Sequence, residues 1–139
     1  MIFEKVIEAI KILERLRNRS IDEMEEDPVL LGGVLWHLYV AVQGCIDIAL
    51  KTISKLSLRT PETYADAFKV LSEEKLIPKD LAKKLVAMAG FRHVLAHVYT
   101  KLDLNTVYDT LHHDLRDIKE FLKTMATKLK EKKIDTSEI

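Results

Sequence analysis

The sequence predicts an all-α chain, an up-and-down bundle of about five helices. Apolar residues recur at three- and four-residue steps along nearly its whole length, only 4 glycines and 3 prolines interrupt it, and no segment alternates strictly enough to make a strand. With 139 residues the chain has single-domain length, so residues 1–139 are expected to form one helical domain that buries roughly two thirds of its unfolded surface.

The first helix is expected from about Ile2 to Arg19, with Val6, Ile10, Leu13 and Arg17 on one stripe and Ile7 beside it. An acidic turn, Asp22 to Asp27, follows and ends in Asp-Pro: Asp27 can cap, and Pro28 suits the first position of a second helix. That helix continues to about Leu56. Leu31, Leu35, Leu38, Val42, Cys45, Ala49 and Ile53 share a face that Trp36, Val40 and Ile46 widen, so it should touch neighbours on two sides. Gly32, Gly33 and Gly44 each cost about 1 kcal/mol inside a helix relative to alanine, which marks them as points of close approach. Thr60-Pro61-Glu62 reads as the capped start of a third helix, with Tyr64, Phe68 and Leu71, running to about Lys75. Leu76-Ile77-Pro78 breaks it. The fourth helix starts near Pro78 and turns Leu81, Leu85, Met88 and Ala89 inward. After a polar segment, Thr100 to Asn105, the last helix carries Val107, Leu111, Leu115, Ile118, Leu122 and Met125. Its charged tail, residues 128–139, is expected to fray.

Composition narrows the function classes. Basic and acidic residues balance at 22 each, so no net field draws the chain to nucleic acid, and any such contact must come from a local cluster. The single cysteine, Cys45, excludes an internal disulfide framework and a cysteine-based zinc site, and it reads as a small core residue. Glu4, Lys5, Glu8 and Lys11 interrupt any signal-like run, and no stretch reads as the ~20 apolar residues of a membrane span. The expectation is a soluble cytoplasmic protein with no membrane partner.

Residues 90–100 carry the chemistry. Arg92, His97 and Tyr99 form an Arg-x4-His-x-Tyr string on or at the end of the fourth helix. Arginine offers a permanent forked cation for phosphate, histidine moves a proton near neutral pH, and tyrosine has a modifiable hydroxyl. Together they suggest phosphodiester chemistry. On an ideal helix Arg92 and His97 lie about 140° apart, so one narrow stripe cannot hold both. Either the helix deforms near Ala96, or both residues border a wide groove, or two chains combine their residues across a two-fold axis. The last arrangement gathers two imidazoles, one to take the 2′-OH proton of RNA and one to protonate the leaving oxygen, while Arg92 neutralises the phosphate. On spacing alone, a purely structural role, with Arg92 paired to an acid, stays open.

His93 and His97 also have zinc-ligand spacing. Val94, Leu95 and Ala96 between them include no glutamate, and no third ligand is evident, so no metal or other cofactor is expected. His112 and His113 read as surface or packing residues and His37, beside Trp36, as a core or interface residue.

The string Gly90-Phe91-Arg92-His93-Val94-Leu95-Ala96-His97-Val98-Tyr99 resembles the signature of the HepT-like branch of the HEPN superfamily. Ala41 to Ala49 resembles that branch's second-helix pattern, and Pro61-Glu62-Thr63-Tyr64 with Phe68, Leu71 and the Ile77-Pro78 break resembles its middle section. Coverage extends over roughly residues 1 to 125. Position 93, commonly asparagine in the branch, is histidine here. The resemblance implies a homodimeric bundle, the toxin of a two-gene toxin–antitoxin pair, cutting RNA without metal through Arg92 and His97. It also implies a partner, a minimal nucleotidyltransferase antitoxin that inactivates the toxin by AMPylation of Tyr99. Gln43 and Asp47, one turn apart, could face the motif helix and orient Arg92 or His93; a buried polar pair tying two helices is the other reading. The functional alternative is a non-catalytic module that binds a nucleotide or the nucleotidyltransferase in the same groove.

Overall fold

The computed structural model describes residues 1–96 and 104–139. Six α-helices are present, α1 Ile2–Leu16, α2 Ile21–Glu26, α3 Pro28–Lys55, α4 Tyr64–Glu73, α5 Lys79–Ala96 and α6 Leu104–Glu131, followed by a 3₁₀ turn, Thr136–Glu138. No strand occurs among the described residues. The all-α expectation holds, with one helix more than the sequence suggested. That helix is α2, where an acidic turn was expected. Ser20 accepts from the Glu23 backbone N–H while Glu23 accepts from that of Ser20, a capping box that nucleates a short helix, and Met24 buries beneath it.

Local chemistry explains the other ends. The Asp27 carboxylate accepts from the N–H groups of Val29 and Leu30, and Pro28 opens α3. Thr63, not Thr60, caps α4, accepting from Asp66. Helices α3, α4 and α6 each end on a left-handed residue, Ser57, Lys75 and Lys133, after which Leu58, Leu76 and Ile134 donate back to Ile53, Leu71 and Leu129.

α3 is the axis of the bundle and packs against all five other helices. It is apolar on nearly every side, as a surrounded helix must be. Contrary to the sequence expectation, it is long and apolar enough to cross a membrane by length and composition. Much of that apolar surface is instead taken up by α1, α4 and α5, around a core that includes Val34, Leu38, Val42, Ile46 and Ile48, all fully buried. Burial pushes the Cys45 thiol up, as befits a core residue. The C-terminal end returns to the bundle. Ile139 is 2% exposed, its carbonyl oxygen accepts from Lys51 Nζ at 2.9 Å, and the 3₁₀ turn packs on α1 and α6.

The glycines divide. A Cβ on Gly44 would overlap Cγ2 of Val6, so α1 crosses α3 there at a separation only glycine permits. Around Gly32 and Gly33 a Cβ would meet nothing within 4 Å, so within one chain they mark no close approach. Gly44→Ala is expected to lower stability by about 1–3 kcal/mol despite its better helix propensity, because β-branched Val6 cannot rotate away. Urea unfolding measures this; partial recovery in Gly44→Ala with Val6→Ala locates the overlap, and an unchanged midpoint would show that α1 slides freely.

Candidate functional site

Tyr39, Gln43, Asp47 and Leu50 follow one another at four- and three-residue steps on a half-buried stripe of α3. Arg92 of α5 reaches this stripe. Its Nε donates to Gln43 Oε1 at 2.6 Å, and Gln43 Nε2 donates to Asp47 Oδ1 at 2.9 Å. The guanidinium carbon lies 5.1 Å from the Tyr64 ring centre and 6.0 Å from that of Tyr39, so two aromatic faces flank the cation. Tyr39 in turn stacks on Trp36, with centres 6.0 Å apart.

The order of these contacts decides what Arg92 can do. An arginine that only holds helices together would meet a carboxylate. Here a neutral amide stands between Arg92 and Asp47, and Arg92 forms no ion pair with a described residue. The Nε bond and the aromatic faces fix the plane of the fork, and neither Nη group donates to a described residue. A half-buried, oriented guanidinium held by an amide, with no ion pair among the described residues, is suited to a phosphate.

Of the residues named from sequence, Arg92, Gln43 and Asp47 therefore come together. Asp47 acts on Arg92 only through Gln43. His93 is exposed on another side of α5. His97 and Tyr99 lie outside the described residues. Sequence reasoning missed Tyr39 and Tyr64 as walls of the site. Tyr39 was within reach, since it precedes Gln43 by the same four residues that separate Gln43 from Asp47; Tyr64 comes from α4, and no local spacing signals it. His37 Nδ1 lies 2.7 Å from the Gly33 carbonyl oxygen, His113 Nδ1 lies 2.9 Å from that of Asp109, and His112 packs on Tyr108.

A second polar feature lies on the α6 side of α5. A cleft of about 460 Å³ is lined by Lys84, Gly90, Thr110, Asp114 and Asp117 among others. Asp117 is buried, its Oδ1 has no hydrogen-bond partner, and Lys84 Nζ stands 3.7 Å from it. Burial, reinforced by Asp117, pushes the Asp114 carboxyl up to about 6. Among the described residues no group of three His, Cys, Asp or Glu side chains could hold a metal ion.

Comparison with known proteins gives a consistent result. The family described as ribonuclease HepT-like matches residues 6–125. The mRNA nuclease HepT of Shewanella oneidensis is 27% identical over 124 residues, 88% of this chain and 93% of that protein. Among solved structures, the tri-AMPylated HEPN toxin of Shewanella oneidensis, in complex with its MNT antitoxin, superimposes with a TM-score of 0.69 at 27% identity, covering 88% of this chain and 97% of that one. YutE of Bacillus subtilis, a cytosolic protein of unknown function, superimposes with a TM-score of 0.77 at 15% identity over 98% of this chain and 96% of its own, a likeness of fold alone.

Proposed function

Because the chain belongs to the ribonuclease HepT-like family, we propose that it is the toxin of a toxin–antitoxin pair, an endoribonuclease that cuts RNA without metal at a groove completed by a second copy of the chain. The observation that carries this reading is the guanidinium of Arg92, oriented by an amide and two aromatic rings rather than by a carboxylate among the described residues. In the reaction, one His97 imidazole takes the proton of the 2′-OH and the freed oxygen attacks the adjacent phosphorus. The bond to the 5′-oxygen breaks, and the imidazolium of the second His97 protonates that leaving oxygen, leaving a 2′,3′-cyclic phosphate. Arg92 stabilises the charge gathering on the phosphoryl oxygens. Every proton is accounted for by the two histidines.

The face of α3 supports the second copy. Val29 is 85% and Trp36 61% exposed, and between them stand Gly32 and Gly33, where nothing approaches within 4 Å. Such an apolar strip with small residues at its centre suits a helix of a partner chain. It runs directly into Tyr39 and Gln43, so pairing about a two-fold axis there would bring two Arg92 sites to one groove.

Regulation follows from the same site. The toxin of the Shewanella structure is AMPylated and bound to an MNT antitoxin. In this chain we assign the acceptor role to Tyr99 and the donor role to a minimal nucleotidyltransferase; added phosphate charge and adenosine beside Arg92 would occupy the anion site. The reading places both proteins in the cytoplasm, with their RNA substrate.

The test is a cleavage assay with purified protein in excess chelator. Cutting is expected; absence of cutting with tight binding of ATP or the nucleotidyltransferase would make the protein a binding module instead. Co-expression with the nucleotidyltransferase should add mass in AMP units to the peptide containing Tyr99, and modification confined to another peptide would refute that assignment.

A further inference from the structure

A chain without net charge can contact RNA beyond the reacting phosphate only through a local concentration of positive charge. One lies between α4 and α5. Lys69 and Ser72 of α4, with Lys79, Ala82, Lys83 and Val86 of α5, line a cavity of about 300 Å³ whose wall is largely apolar. Glu73 also lines it, and its carboxylate and that of Asp66 share the single guanidinium of Arg59, so about one negative charge remains against the three lysines. Arg59 grips Glu73 at 2.9 and 2.8 Å and Asp66 at 2.8 and 3.0 Å, and the same guanidinium, aided by the Glu62 N–H, holds the Asp66 carboxyl down at about 2. Lys69, Lys79 and Lys83 form no ion pair with a described residue.

The cavity and the site share the same pair of helices. Tyr64, at the start of α4, lies over Arg92 near the end of α5, whereas Ser72, at the end of α4, meets Lys79 at the start of α5. The two helices are thus antiparallel, and the lysines lie at the opposite end of the pair from Arg92. Lys83 stands nine residues before Arg92, about 13 Å along the helix and about 180° round it, so the lysines follow the side of α5 that carries His93 rather than the side that carries Arg92. On α5, Lys79, Lys83, Val86, Gly90 and His93 follow at four- and three-residue steps on the outer side, and the next step in the sequence is position 97. Gly90 is exposed, and a Cβ there would meet no described atom within 4 Å.

We propose that this groove holds the phosphodiester backbone of single-stranded RNA where it runs on from the cleavage point. The lysines contact successive phosphates, and Ala82 and Val86 receive sugar or base faces. The contact is through charge and is indifferent to sequence. It rests on the ribonuclease reading, yet it is tested by binding rather than cutting.

In a His97→Ala background, which keeps the RNA intact, the affinity for a single-stranded oligomer long enough to span the groove is measured against salt concentration. The triple variant Lys69→Gln, Lys79→Gln, Lys83→Gln is expected to bind more weakly and to lower the log–log salt slope by about 2, at roughly 0.7 per lost phosphate contact. Lys5→Gln, Lys11→Gln, Lys123→Gln removes equal charge from α1 and α6 and should change neither quantity. An unchanged slope in the groove variant overturns the proposal, as does a variant that loses only its affinity for the nucleotidyltransferase. If the parent protein cuts no RNA but the groove variant still loses slope, the groove stands and the ribonuclease reading alone falls.

Discussion

Arg92→Lys is expected to keep the fold and much of the RNA affinity but to cut RNA about 10²–10³-fold more slowly, the magnitude associated with losing one oriented donor to a developing oxyanion. The geometry explains why a conservative change should be so costly. Arg92 uses Nε to fix itself on Gln43 and still presents two Nη groups, whereas a lysine ammonium bonded to Gln43 has its one charged centre at the anchor and no rigid fork beyond it. His97→Ala should lose at least as much, since it removes the proton carrier. Gel assays on labelled RNA in chelator, with helicity checked on the same samples, measure both. Arg92→Lys cutting at the parent rate would mean that charge alone, not the oriented fork, matters there.

Trp36→Asp is expected to break the proposed dimer and to reduce cleavage with it. A tryptophan at the centre of an interface commonly contributes at least 2 kcal/mol, about thirtyfold in the dimer dissociation constant, and an aspartate adds the cost of a buried charge on both sides of a two-fold axis. Sedimentation should show a monomer at concentrations where the parent is a dimer, with the circular dichroism unchanged because Trp36 is largely exposed within its own chain. A Trp36→Asp protein that remains dimeric but binds RNA poorly would make this face a platform for a base rather than for a second chain.

Much of the fold was legible because it is written in local spacing. The stripes on α5 and α6, the Asp27–Pro28 start of α3 and the break at Pro78 each depend on residues within two turns of one another, and the structure has them where periodicity and capping put them. The extra helix α2 was legible too, from Ser20 and Glu23, had the capping box been weighed above the acidic run. The tail's charge pointed to solvent, and its return to the core through Ile139 and Lys51 rests on contacts distant in sequence that local spacing does not signal.

The site divides along the same line. Sequence by itself determined the chemistry available, a forked cation, an imidazole and a phenol in one short string, and the resemblance that string carries. Only the tertiary structure decided that Arg92 meets an amide rather than an acid, that Tyr39 and Tyr64 flank it, and that three lysines from two helices face one groove next to an acid already held by Arg59. The reason is physical. A residue's type and local periodicity are properties of the chain, but whether its charge is neutralised depends on which side chain lies opposite it, and for Arg92 that partner is 49 residues away on another helix.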